Sequence, residues 1–231
     1  MNRLALFDID ETLIYTDGAG RRAIGRALME KFQVDASKLS VSMSGKTDPQ
    51  ILREMLELAK RPPDADNDKV REQEMYELYI ELLEEELKKE GRYVIHKGIP
   101  ELLHLLDDHN HVQMGLLTGN IERGAKLKLD RFDLWKFFPI GAYGSDSANR
   151  MDLPAIATKR AEEHYGTTFA PHEVAVIGDS IYDVMCAKHF GAVSIAVNTG
   201  VTTREALLEQ KPDYLFDSLE DINAVLEAIL K

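Results

Sequence analysis

Apolar residues in this chain gather into short runs and, between those runs, into stripes at helical spacing. Leu4-Ala5-Leu6-Phe7, Val112-Gln113-Met114-Gly115-Leu116-Leu117 and Val174-Ala175-Val176-Ile177 have the length of buried strands. Each is delivered into a polar turn: Asp8-Ile9-Asp10-Glu11-Thr12-Leu13, Thr118-Gly119-Asn120 and Gly178-Asp179-Ser180-Ile181-Tyr182-Asp183. Shorter strands are expected over 139–143, 192–197 and 214–216, and helical patterns over 99–110, 123–132, 154–165 and 219–230 alternate with them. That alternation predicts an α/β fold, a doubly wound and mostly parallel sheet with helices on both faces. The carboxyl ends of such strands line one crevice, where open α/β folds bind ligands.

From Gly18 to Glu90 the pattern changes, and helical periods over 19–32, 49–59 and 69–90 replace strands. In the last of these Met75, Leu78, Tyr79, Leu82, Leu83 and Leu87 form one stripe, with charges on the other face. Arg61 to Asp68 reads as a polar, proline-broken connector between two of the helices. The block is therefore expected to be an all-helical cap, residues 17–93, inserted into a core made of residues 1–16 and 94–231. Segments near 15–18 and 91–97 would be the hinge.

A formal charge of −12, with no Lys/Arg-rich block, argues against a nucleic-acid partner. No apolar run approaches the roughly eighteen residues of a membrane span, so a soluble, cytoplasmic protein is expected. The one cysteine, Cys186, excludes an intramolecular disulfide and reads as a buried structural thiol. Whether the chain is a monomer or a homodimer does not follow from these features.

The chemistry lies in the turns. Side chains repeat with period two along extended backbone, so Asp8 and Asp10 can aim at one point. A carboxylate such as Asp8 can attack phosphorus to give an acyl phosphate, while Asp10 protonates the leaving oxygen and later takes a proton from water. Thr118 and the Gly119-Asn120 turn can receive an anion. Clustered acids and a phosphate need positive charge between them, which points to Mg²⁺ held by Asp8, Asp179 and Asp183.

In order and approximate spacing, Asp8-x-Asp10-x-Thr12-Leu13, Leu117-Thr118-Gly119-Asn120 and Gly178-Asp179-Ser180-x-x-Asp183 resemble motifs I, II and IV of the haloacid dehalogenase superfamily. The chain looks like the members with a helical cap after motif I, the phosphoglycolate phosphatase and β-phosphoglucomutase group. That resemblance implies Asp8 as nucleophile, Asp10 as acid/base and, through its backbone carbonyl, a metal ligand. It also implies Thr118 as phosphate ligand, Asp179 as metal ligand, and Asp183 as support for the metal or for the motif III cation. Two departures stand out. Glu11 replaces the usual motif I glycine, and its side chain is expected to point outward. The motif III lysine has no clean match; Arg150, just ahead of the Pro154 helix start, fits better by position than Lys159.

In the cap, Ser44-Gly45-Lys46-Thr47-Asp48-Pro49 reads as a polar loop opening a helix. By resemblance Gly45, Lys46 and Thr47 would form a specificity loop, with Lys46 meeting a second anionic group on the substrate. His104, His109 and His111 read as a polar turn, and Glu84-Glu85-Glu86 as a solvated helix face. The expected function is Mg²⁺-dependent hydrolysis of a small, phosphoglycolate-like metabolite through an aspartyl phosphate. A β-phosphoglucomutase-like phosphomutase is the alternative, and a non-catalytic binding protein on the same fold a more distant one. Asp10 argues against haloacid dehalogenation, whose enzymes lack an acid there.

Overall fold

The computed structural model describes residues 2–60 and 68–231. In chain order the elements are β1 (Arg3–Phe7), β2 (Ile14–Tyr15), α1 (Ala19–Phe32), α2 (Asp48–Leu58), α3 (Asp68–Lys88), β3 (Val94–Ile95), α4 (Ile99–Asp107) and β4 (Val112–Leu117). They continue with α5 (Glu122–Asp130), β5 (Gly141–Ala142), α6 (Leu153–Tyr165), β6 (Val174–Gly178), α7 (Ile181–Phe190), β7 (Val193–Val197), α8 (Arg204–Glu209), β8 (Tyr214–Phe216) and α9 (Ile222–Leu230). Six strands form one sheet in the order β5-β4-β1-β6-β7-β8, every neighbouring pair parallel.

β1 lies at the sheet's centre with Leu6 opposite both Gly115 and Val176. All five of its residues are buried, as expected of a parallel strand covered on both faces. Ala5 and Phe7 pack with α4, α5 and α9, whereas Leu4 and Leu6 pack with α6 and α7. The period-two alternation thus sorts one apolar run between two cores. Helices α1 to α3 bury a separate cluster around Ala23, Leu28, Met55, Met75 and Leu83. Their stems are the antiparallel ribbon of β2 and β3, Ile14 opposite Ile95 and Tyr15 opposite Val94.

Boundaries depart from expectation where local capping overrides periodicity. The strand expected over 139–143 shrinks to Gly141–Ala142. α9 starts after Asp221, whose carboxylate accepts the Ala224 N–H at 3.1 Å, so Leu219 precedes it as a core residue. α8 was not anticipated. Of the connector expected over 61–68, residues 61–67 lie outside the described residues, and Asp68 opens α3.

The Glu84-Glu85-Glu86 reading needs correction at one position. Glu86 is 1% exposed because α1 packs along this face of α3, and it accepts from Arg22 at 2.7 Å, Arg26 at 3.1 Å and Lys89 at 2.5 Å. Burial would raise its carboxyl, but those three cations outweigh it and bring it down to about 2. Cys186 is fully buried, and burial pushes its thiol up to about 12. Among the described residues no helix is long and apolar enough to cross a membrane.

Candidate active site

The carboxyl ends of β1, β4 and β6 open into a cavity of about 300 Å³, roofed by α1, the 42–46 loop and α3. Asp8, Asp10, Thr118, Asn120, Arg150 and Asp179 all line it. The turns after three adjacent parallel strands therefore converge as the sheet topology requires.

Asp8, Asp179 and Asp183 are buried, and one carboxylate oxygen from each lies within 4.8 Å of the others. Burial raises the Asp8 carboxyl to about 7, Arg150 opposing and Asp183 and Asp10 adding to the rise. Burial, then Asp183 and Asp8, hold Asp179 well above the usual range. An all-oxygen donor set under mutual repulsion fits a hard divalent cation such as magnesium. The backbone is shaped around it: a Cβ at Gly200 would stand 1.8 Å from Asp179 Oδ2, and one at Gly178 would stand 2.1 Å from Asp183 Cγ.

Arg150 is 3% exposed and reaches Asp8 Oδ1 at 3.2 Å and Asp183 Oδ1 at 2.5 Å. Burial works against its charge, and the two carboxylates outweigh that cost and strengthen it. Its Nε is buried with no hydrogen-bond partner among the described residues. Lys159 is exposed and lies near Glu163. Asp183 is the third residue of α7, where its Oδ2 accepts from Ser180 N at 3.0 Å and Ser180 Oγ at 2.7 Å. That capping box fixes the carboxylate that holds Arg150.

At motif II, Thr118 is buried and its Oγ1 accepts Asn120 Nδ2 at 2.9 Å. The other hydrogen of that amide goes to Asp10 Oδ2 at 2.8 Å. Gly119 has no room for a side chain, since its Cβ would lie 2.1 Å from the Lys46 carbonyl. Cap and core meet here backbone to backbone. Asp48 N–H donates to Gly119 O at 2.7 Å, Asp48 Oδ2 accepts Ile121 N–H at 2.8 Å, and Thr47 Oγ1 donates to Ala148 O at 2.8 Å. Burial raises Asp48 to about 6, against Lys128 and the Ile121 N–H. Gly45, at φ +69°, packs against Ser180 and Tyr182, where a Cβ would come within 2.4 Å of Ser180 Oγ. The Lys46 ammonium is taken by Glu54.

Sequence reasoning missed Lys128. It is 4% exposed on α5, and its Nζ donates to Asp10 Oδ1 at 2.9 Å, Asp10 Oδ2 at 2.7 Å and Asn120 Oδ1 at 2.6 Å. The acid/base candidate is thereby clamped from the core side, and the Asp10 carboxylate stays outside the Asp8-Asp179-Asp183 cluster. Glu11 has a left-handed backbone, φ +63°, and its side chain is 27% exposed with its carboxylate 3.9 Å from His96 Nε2. Burial, then Asp10, raise it to about 7.

Comparison with known proteins agrees with this geometry. Residues 5–197 match the family model described as haloacid dehalogenase-like hydrolase. The chain is 24% identical over 157 residues to "Probable phosphatase IndB" of Dickeya dadantii, covering 66% of this chain and 65% of that one. It is 28% identical over 109 residues to the phosphoglycolate phosphatase of Escherichia coli K12, covering 47% and 42% respectively. The matches thus span less than two thirds of these relatives' lengths. Among solved structures, a hydrolase from Pseudomonas syringae superposes over the whole of both chains with a TM-score of 0.72 at 20% identity. CbbY of Rhodobacter sphaeroides superposes over 96% of each, with a TM-score of 0.72 at 18% identity, and so shares the fold. With its motifs, sheet order and matched length in agreement, the chain belongs to the haloacid dehalogenase-like hydrolase family.

Proposed function

We propose that the protein is a Mg²⁺-dependent phosphatase that hydrolyses a small, phosphoglycolate-like phosphomonoester through an aspartyl phosphate on Asp8. The observation that carries this reading is a buried carboxylate, Asp8, held against the buried cation Arg150 in a cavity that also presents Asp10, Thr118 and Asp179. The names of the relatives, a phosphatase and a phosphoglycolate phosphatase, support the same class.

In the first step an Asp8 oxygen bonds to phosphorus and the bond from phosphorus to the leaving oxygen breaks. Asp10 passes a proton to that oxygen, which departs as an alcohol. Thr118, the Gly119-Asn120 turn and Arg150, which line the cavity, receive the phosphate oxygens. In the second step water attacks phosphorus, Asp10 takes its proton, and cleavage of the bond to Asp8 frees phosphate and restores the carboxylate. Asp8, Asp179 and Asp183, with the Asp10 carbonyl, would hold magnesium, which supplies positive charge against the phosphate and the acids. The 17–93 block acts as a cap: its Gly45-Lys46-Thr47 loop closes over motif II and excludes bulk water.

The test is phosphate release from a panel of phosphorylated metabolites with and without Mg²⁺, comparing the intact protein with Asp8→Asn. Metal-dependent release abolished in the variant is expected. Conversion of a phosphate ester to its isomer without free phosphate would instead make the protein a mutase.

A further inference from the structure

The phosphate end of the cavity is formed by the core; the opposite wall is formed by the cap, with Gly20 and Arg21 in the first turn of α1 and Tyr79 from α3. Four basic side chains line the space. Arg150 is bonded to Asp8 and Asp183, Lys128 to Asp10 and Asn120, and Lys46 to Glu54. Arg21, exposed at the mouth, has no ion pair or side-chain hydrogen bond among the described residues. It, rather than Lys46, is the cation left for a ligand.

Three further donors stand beside it. α1 begins on Gly18 in the left-handed region, with no side-chain cap and no acid in its first turn. The N–H groups of Ala19 and Arg22 turn back to Thr16 O and Gly18 O, but those of Gly20 and Arg21 have no acceptor among the described residues. Tyr79 is 2% exposed, its hydroxyl has no hydrogen bond among the described residues, and it lies 3.6 Å from the position of a Gly20 Cβ. Burial holds that phenol well above its ordinary value, so it stays a donor. One oxygen of the nearby Asp48 carboxylate, Oδ2, accepts the Ile121 N–H. A guanidinium, a phenol and two backbone N–H groups at the positive end of a helix make a set of donors with no hydrogen-bond partner among the described residues, bordered by the Asp48 and Asp10 carboxylates.

We propose that the first turn of α1, with Arg21 and Tyr79, is the subsite for a second anionic group carried by the leaving-group side of the substrate, a carboxylate or a second phosphate. The proposal rests on the phosphatase reading for the other end of the cavity. It deepens that reading by selecting substrates with two anionic ends a few atoms apart.

Binding of three probes to Asp8→Asn in the presence of Mg²⁺ tests it: 2-phosphoglycolate, ethanediol bisphosphate and the neutral-ended 2-hydroxyethyl phosphate. At least one dianionic-ended probe is expected to bind about tenfold or more tighter than 2-hydroxyethyl phosphate, as a charge-assisted pair implies. Which probe gains more identifies carboxylate or phosphate. Adding Arg21→Ala should reduce that preference about tenfold, Arg21→Lys should restore part of it, and Tyr79→Phe should reduce it severalfold. Equal affinities in the parent, or a loss in Arg21→Ala shared equally by all probes, would overturn the subsite. Turnover of p-nitrophenyl phosphate by the intact protein reports separately on the phosphatase reading. A binding preference without turnover sinks that reading alone; turnover without preference sinks the subsite alone.

Discussion

Lys128→Met removes an ammonium while keeping the length of the side chain, and so releases the clamp on Asp10 and its neighbour Asn120. The Asp10 carboxylate is 39% exposed and can turn to water once released, while the buried Asp48 carboxyl loses the cation that opposes its rise and is left protonated. The stability loss should be about 1–2 kcal/mol, a fall of roughly 2–8 °C in Tm for a chain of this size. Catalysis should suffer more. A positioned acid/base contributes about 10²- to 10⁴-fold, and misplacement by about an ångström costs on the order of 10². We therefore expect kcat to fall about 100-fold, equivalent to about 2.7 kcal/mol, with KM within about threefold of the intact value. Steady-state kinetics on an alkyl phosphate and on p-nitrophenyl phosphate is the assay. The deficit should be larger for the alkyl ester, whose basic leaving oxygen needs the proton. A folded Lys128→Met with kcat within threefold on both esters, or with the whole effect in KM, would refute the positioning role.

Arg150→Met leaves Asp8 and Asp183 without their shared cation; it should cost about 3–5 kcal/mol by thermal melt and abolish turnover, with Mg²⁺ recovering part of the Tm. Gly45→Ala places a methyl 2.4 Å from Ser180 Oγ on a left-handed residue, so the cap loop should seat poorly and KM should rise severalfold while core stability barely changes. Glu86, whose carboxyl is brought down to about 2 on folding, contributes stability that is present above its unfolded value near 4.5 and is lost as pH falls toward 2. Glu86→Gln should therefore lower Tm at pH 7 and flatten the acid limb between about pH 4.5 and 2 in a melt series; an unchanged limb would contradict the pairing.

The three polar turns were legible because each follows a short, mostly apolar run, and a parallel sheet brings the ends of such runs together whatever separates them in sequence. The helices α1 to α3 were legible from the lost strand pattern after Leu13. Lys128 was hidden because Lys126 and Lys128 read alike as helix surface. The available signal was its place on the buried stripe Gly124, Ala125, Lys128 and Leu129, where a lysine needs a partner. Tyr79 was read as packing, which its ring is; that its hydroxyl faces the cavity depends on how α1 and α3 meet. The turn carrying Gly200 against Asp179 has no periodicity to read, and β2 and β3, at two residues each, are too short for one. The left-handed backbone of Glu11, φ +63°, was implied by the glycine usual at that position.

The central claim is that Asp8 carries the phosphoryl group. Rapid quenching during turnover with Mg²⁺, reduction of any acyl phosphate with borohydride, and peptide mass spectrometry test it most directly. Conversion of residue 8 to homoserine, absent without substrate and absent in Asp8→Asn, is the predicted result. Phosphate release that persists in Asp8→Asn, with residue 8 of the intact protein unmodified after quenching, would contradict the account.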